Sequence, residues 1–446
     1  MNDKNKLGLV PCIALVAGGC IGSAIFSLSG MTMYYAGPAA IISWLISALI
    51  MGFYGMHVAE LSVRFPKSGG TFVYPQKAFG GSKGELLGFI SAWGYIVSNI
   101  IAVAFSAIYV GTYLSAGFSA ITDKMQIPLA LIATAFCIVL NLLKITDAGR
   151  FNNILVGGLA LTMIIYGCVA IFGGTFNSAN FVPFMTQGIK GATGWITAIP
   201  VASVAYGSCI ALAFMVEDIE NPNKTIPKAI ITGLIIVTCL YMLLIVGTLG
   251  NLNVGILMDD SNAFFRYVPI FAALWTSALG KYTFLAPLVS IAALLALVTT
   301  MLVLLAICSR NLQAIAQAGY FPKKLGENSS NGVPAAATIV VGIFCLLLCL
   351  KPDWTEILVG LGALFSVITI VITVAALLKA RQDTKLSADQ YQAPGGHILP
   401  WLTILVLTLC YIPDIIAGSW KLLGFTVLIY AIGFVIYYIG SSKKKA

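Results

Sequence analysis

Two short stretches place small and polar residues in the middle of long apolar runs: 18-GGCIGS-23 and 203-SVAYGSC-209. Residues of these types break a helix, and a break releases backbone groups from the helix's own ladder. Amides are freed where the second half starts and carbonyls where the first half ends. The helix dipole adds partial positive charge at the freed amides and negative charge at the freed carbonyls. In a medium without water, such a break can hold charged groups. Gly22, Ser23 and Ala24 would offer N–H groups and the Ser23 hydroxyl to an anion. Carbonyls near Gly19 and Cys20, and near Ala205 and Tyr206, would take a cation, with Gly207 and Ser208 completing the second break. The residues must be small because the guest has to touch backbone. A packing notch between membrane helices accounts for either stretch alone. It accounts less well for two of them in register.

The elements that must position these residues are membrane helices. Hydrophobic residues make up 59% of the 446 and charged residues only 9%, with a mean hydropathy of +0.96. Soluble globular proteins carry about a quarter charged residues. Runs of about 20 apolar residues span the hydrocarbon layer as helix, and twelve are predicted: 8–35, 39–63, 86–115, 127–144, 152–172, 193–217, 227–250, 282–309, 334–350, 356–379, 398–417 and 421–440. No β-barrel alternation is seen, so the fold is expected to be all-helical. The two breaks fall in spans one and six. Paired interruptions at equivalent positions of two halves point to an inverted repeat of five plus five helices, spans one to five (about 8–172) and six to ten (about 193–379). Spans eleven and twelve (about 398–440) are additions, and residues 1–446 form one membrane transport domain.

With both termini in the cytoplasm, only Lys124, Lys190, Arg266, Lys281, Lys351 and Lys421 of the 25 basic residues lie outside. The positive-inside rule therefore explains the net charge of +9 without nucleic acid as a partner. Too few residues precede the first span for a removable signal peptide. All ten cysteines fall within predicted spans and are read as apolar packers, with no CxxC pair or nearby histidine to build a metal site. The connection 64–86 reads as an ordered elbow with a short helix, and 251–281 as an interfacial amphipathic helix. Two histidines, His57 and His397, with no HExxH and no mid-membrane aspartate pair, leave little for an intramembrane enzyme. A channel would want a ring of charges or carbonyls along a pore, and none is visible.

Four segments in order carry a family resemblance. These are Gly22-Ser23-Ala24-Ile25-Phe26, 60-ELSVRFPKSGGTFVY-74, 217-EDIENPNKTIPKAI-230, and 309-SRNLQAIAQAGYFP-322 with Gly332-Val333-Pro334. The chain resembles the amino acid/polyamine/organocation permeases over nearly its whole length, in particular their amino acid/polyamine antiporter branch. The resemblance implies a LeuT-type fold with helices one and six broken, residence in the cell membrane, and secondary transport of amino acids or amines by exchange or ion-coupled uptake. No cofactor is implied. The carboxylate of a zwitterion would sit on the first-break amides and its ammonium on the carbonyls, because an unpaired buried charge is prohibitive.

Other candidates surround the breaks. Asn99 aligns with an asparagine that faces substrate in arginine/agmatine exchangers, and a packing asparagine bonded to a neighbouring helix is the plainer account. Tyr206 is the candidate gate and Tyr95 a pocket wall. Leu304 stands where the arginine exchanger has a pocket tryptophan. Leu159 stands where several relatives have a coupling lysine. No Asp or Glu lies in the middle of spans one, three, six, eight or ten. A neutral amino acid is therefore favoured, with a cationic amino acid or amine antiporter as the alternative, since aromatic stacking can hold a cation. A membrane amino acid sensor that does not transport is the alternative of another class. For coupling, Thr299 and Thr300 could bind Na⁺ with first-break carbonyls, or merely back-bond to their helix. His57 and Glu60, one turn apart, could form a proton-responsive pair. Pure exchange is the simplest scheme.

Overall fold

Interruptions of the hydrogen-bond ladder, as well as loops, punctuate this chain. A computed structural model describes residues 6–22, 24–118, 123–143, 145–387, 389–410 and 420–445. The helices, in chain order, are α1 (Leu9–Cys20), α2 (Ser29–Ala36), α3 (Ala40–Arg64), α4 (Gly70–Phe79), α5 (Gly81–Gly117), α6 (Gln126–Asn141), α7 (Ile145–Phe172) and α8 (Gly194–Val204). They continue with α9 (Pro222–Leu249), α10 (Gly255–Met258), α11 (Pro269–Thr276), α12 (Leu285–Gln317), α13 (Ala335–Cys349), α14 (Thr355–Asp383), α15 (Ile398–Cys410) and α16 (Trp420–Lys445). No strand forms among the described residues. One isolated parallel bridge joins Leu7 to Ile219.

Among the described residues, eight helical stretches are long and apolar enough to cross a membrane, the first being Leu9–Arg64 as a whole. The apolar helices α6, α13 and α15 are shorter, at 16, 15 and 13 residues. Burial separates centre from periphery. In Gly191–Phe214, 78% of the apolar window is buried, against 11% in Trp420–Ser442. The second interrupted stretch therefore runs through the core, while α16 lies on the rim.

Small residues and hydroxyls hold the core helices together, as expected where lipid removes the hydrophobic drive between them. Along α3, Ser43 and Ser47 donate to the carbonyls of Trp195 and Ile199 at 2.8 and 3.0 Å, and Ser203 donates to the Ser47 hydroxyl at 3.2 Å. These residues recur every four positions on each helix, so one face of α3 is fastened to one face of α8. The expected elbow after α3 is present. Its short helix α4 lies buried beside α5, where a Cβ at Gly88 would stand 2.6 Å from the Phe72 carbonyl.

The segment 251–281 departs from the expected single amphipathic helix. It breaks into α10, a 3₁₀ stretch Asp260–Tyr267, α11 and a 3₁₀ turn Ala278–Lys281. Pro269 starts α11 because it cannot continue the preceding ladder. The face Pro269–Leu274 is buried, so this segment caps the helices below it. Of the ten free cysteines, eight are buried as expected of packers, and Cys168 and Cys239 are exposed.

Contact between α2 and this cap depends on a glycine. A Cβ at Gly30 would lie 2.2 Å from the Arg266 carbonyl oxygen, and backbone cannot rotate away as a side chain would. Gly30→Ala is expected to destabilise the protein by about 2 kcal/mol, as overpacking does, and to lower the melting temperature in detergent. Gly157, whose Cβ would meet nothing within 4 Å, should accept alanine with no loss.

Candidate substrate site at the two helix breaks

The first break begins where α1 ends at Cys20. Ile21 leaves helical geometry (φ −75°, ψ 91°), its N–H still bonded to the Ala17 carbonyl. Gly22 follows, and the chain resumes as a π-helical turn at Ala24–Leu28 before α2. Ser23 lies outside the described residues. The second break is of a different kind. After Val204, the Ala205 and Tyr206 N–H groups bond to the carbonyls of Ala202 and Ser203, and the chain continues as a 3₁₀ helix, Gly207–Phe214. Eight residues is long for this form. At about 2.0 Å per residue, it covers about 16 Å with few residues.

The breaks meet. A Cβ at Gly19 would stand 2.6 Å from the Ser208 Cβ, and one at Gly22 would stand 1.9 Å from the Thr300 hydroxyl oxygen. These glycines are needed for close approach between the first break, the second and α12. Gly207, unlike Gly19 and Gly22, has free space where its Cβ would be.

The freed carbonyls are already met by hydroxyls. Tyr241 on α9 donates to the Cys20 carbonyl at 2.5 Å and lies 3.2 Å from the Ala205 carbonyl, so one side chain ties both breaks together. Thr300 lies 3.4 and 3.3 Å from the carbonyls of Gly18 and Gly19. Thr299 instead donates to Ala296 on its own helix, so the two threonines do not act as a pair. Three oxygens thus converge at Thr300, an incomplete shell for Na⁺. The Tyr206 carbonyl accepts from the Cys209 N–H at 3.0 Å.

Tyr206 is fully buried, its ring 5.2 Å from that of Tyr241 and 6.1 Å from that of Trp44, with its hydroxyl 3.5 Å from the Trp44 carbonyl. Trp44 in turn lies edge-on to Tyr241 at 5.1 Å and donates to the Thr32 hydroxyl at 2.9 Å. Tyr95 stacks on Phe214 with ring centres 5.3 Å apart and planes 4° apart. It lines a cavity of about 30 Å³ together with Tyr54, Ser203, Gly207, Ser366 and Ile370. That is room for no more than a few water molecules. The cavity carries no charged side chain. Asn99 does not line it, and its amide donates to the Tyr95 carbonyl one turn back at 2.7 Å. The structure thus brings together Gly19, Cys20, Gly22, Ala205, Tyr206, Ser208 and Thr300, sets Tyr95 and Gly207 beside the cavity, and turns Asn99 onto its own helix. Tyr241, Trp44 and Phe214 were not singled out from sequence. The available signal was an aromatic with a polar handle in mid-span, which needs a partner when buried.

His57 and Glu60 do not bond to each other. Glu60 is fully buried and accepts from Arg64 Nε at 2.9 Å, from Arg381 Nε at 3.0 Å and Nη2 at 2.5 Å, and from the Ala393 N–H at 2.9 Å. Arg64 also donates to the Thr384 carbonyl at 2.7 Å. Neither ring nitrogen of His57 finds a partner among the described residues. At the same end of the molecule, the Leu7 N–H donates to the Asp218 carbonyl at 2.8 Å, and Leu7 accepts from the Glu220 N–H at 3.0 Å. Burial pushes the Asp218 carboxyl up, and Arg310, 2.7 Å away, draws it back down.

Breaking a buried ion network by removing one partner strands a charge. Arg381→Met should therefore cost about 3 kcal/mol or more of stability, read as a lower melting temperature. Replacing Glu60, Arg64 and Arg381 together by methionine should cost less than the single change.

Comparison of the sequence with known proteins gives a family. The amino acid permease family model matches residues 7–441, which takes in both breaks and the Leu7–Ile219 bridge. The branched-chain amino acid permease BcaP of Bacillus subtilis (strain 168) is 28% identical over 99% of this chain and 94% of its own. The branched-chain amino acid permease BcaP of Lactococcus lactis subsp. cremoris (strain MG1363) is 26% identical over 93% of this chain and 92% of its own. The serine/threonine exchanger SteT of Bacillus subtilis is 26% identical over 54% of this chain and 53% of its own. With two helix breaks joined at mid-span and a family match over almost its whole length, the chain belongs to the amino acid permease family.

Proposed function

We propose that this protein is a secondary transporter that carries a neutral, aliphatic amino acid across the plasma membrane by alternating access. The observation that carries the proposal is the joined pair of breaks, where the Tyr241 hydroxyl meets the carbonyls of Cys20 and Ala205. A substrate ammonium takes over these carbonyls when the hydroxyl swings aside. Its carboxylate takes the amides that open the second half of the first helix, at Gly22, Ser23 and Ala24. The side chain enters beside Tyr95 and Gly207, where Met51, Val204, Val367 and Leu407 supply an apolar wall. A wall without carboxylates favours a neutral guest, in keeping with relatives named for branched-chain amino acids and for serine and threonine.

The cavity is far smaller than an amino acid, so binding requires the helices around it to part. That is the motion expected of two five-helix repeats rocking around a central site. Twelve spans follow if Leu9–Arg64 is counted as two, divided at Gly37-Pro38-Ala39, and α6, α13 and α15 cross as short helices. Both termini then face the cytoplasm, the orientation that the distribution of lysine and arginine favours, and the whole chain acts as one transport domain. Exchange without a coupling ion is the scheme this reading adopts, with the Thr300 hydroxyl on the carbonyls of Gly18 and Gly19.

Purified protein in liposomes preloaded with leucine should take up labelled leucine, isoleucine or valine saturably, with or without a Na⁺ gradient. Uptake of arginine or agmatine but of no neutral amino acid would overturn the assignment. Tyr241→Phe should tighten apparent affinity by up to about tenfold, the scale of one buried hydrogen bond, because the ammonium no longer has to displace the hydroxyl from the carbonyls of Cys20 and Ala205. Gly207→Ala should reduce transport of leucine more than that of alanine, because the added methyl group enters the open space at the cavity.

A further inference from the structure

Away from the breaks, α3 and α9 leave an apolar groove between them on the outer face of the molecule. It has a volume of about 550 Å³ and is walled by Leu45, Leu49, Phe53 and Met56 on one side and Ile231 and Ile235 on the other. The groove is deepest on the α3 side because Ala48 and Gly52 are small, and a Cβ at Gly52 would meet nothing within 4 Å. Gly55 packs onto Ile230 and Leu234, which sets the Met56 end of α3 beside the Ile231 end of α9. Beyond that end, α9 continues on the same face with Lys228 and Lys224, one and two turns before Ile231. Both lysines are exposed, and neither pairs with a carboxylate among the described residues.

An apolar trough ending in two unpaired cations on one helix face matches one kind of molecule, an acyl chain joined to an anionic headgroup. We propose that this groove is a binding site for an anionic phospholipid, with one acyl chain along α3 and α9 and the phosphate between Lys224 and Lys228. A helix from a second protein would fill the trough but leave the lysines without counter-charge. The lipid would lie close to the substrate site. Thr238, which lines the groove, is on α9 one turn before the bridging Tyr241, and Leu45 adjoins Trp44.

The test uses the full chain reconstituted with equal phosphatidylglycerol and phosphatidylcholine, re-extracted into mild detergent, with retained lipid identified by native mass spectrometry. Wild type should retain phosphatidylglycerol about tenfold over phosphatidylcholine, since each lysine near a charged lipid surface contributes appreciably. Lys224→Gln with Lys228→Gln should bring that ratio close to one. Gly52→Leu should reduce retention of both lipids, and Ala48→Leu serves the same purpose if Gly52→Leu does not fold. The proposal fails if the ratio is unchanged by the lysine pair, or if a groove-filled, folded variant retains as much lipid as wild type. It also fails if filling the groove dissociates a dimer without releasing lipid. Because the readout is bound lipid, it is independent of whether and what the protein transports.

Discussion

A membrane interior supplies no water to a backbone group that has lost its helical partner, and each such group left bare costs several kcal/mol. That constraint governs the centre of this protein. The chain is interrupted twice in mid-span, and the carbonyls released by α1 are met by the hydroxyls of Tyr241 and Thr300. The Ala205 carbonyl is met by the same tyrosine. Two interruptions that would each be unstable alone become one satisfied junction.

Close approach is the second requirement of that junction. Gly19 and Gly22 bring backbone against Ser208 and Thr300 at distances that leave no room for a Cβ. The glycines proposed to let a guest touch backbone also allow two helices to touch each other. In the proposed cycle, binding substitutes one set of partners for another: the ammonium of a guest replaces a hydroxyl, and the helices part to admit it. Polar groups around the junction come from hydroxyls and aromatics rather than carboxylates, which suits a guest whose side chain needs no counter-charge.

The ends of the molecule are fastened by different means. At one end, the buried Glu60 ties α3 to α14 through Arg381 and to the chain beyond through the Ala393 N–H, while Leu7 pairs with the segment after the second break. At the other, Tyr113 donates to the Phe26 and Tyr267 carbonyls, and Arg266 lies over the Tyr34 ring at 4.2 Å.

Composition and spacing were enough to establish an all-helical membrane protein, the positions of both breaks and the elbow helix, because hydrophobic length and small-residue interruptions are local properties of a chain. They were also enough to place Gly19, Cys20, Ala205 and Tyr206 at the two breaks, since freed carbonyls follow from where a helix stops. Partner choice was not legible. Glu60 stands one turn from His57, yet its charge is taken by Arg381, more than three hundred residues away. Thr299 and Thr300 look alike in sequence, yet only the second faces the break. Tyr241 is one aromatic among many until the fold sets it beneath two carbonyls. Sequence by itself determined which segments enter the membrane and where their ladders fail. Only tertiary structure decided which distant side chain repairs each failure, because a hydrogen bond depends on direction and distance in space, and separation along the chain specifies neither.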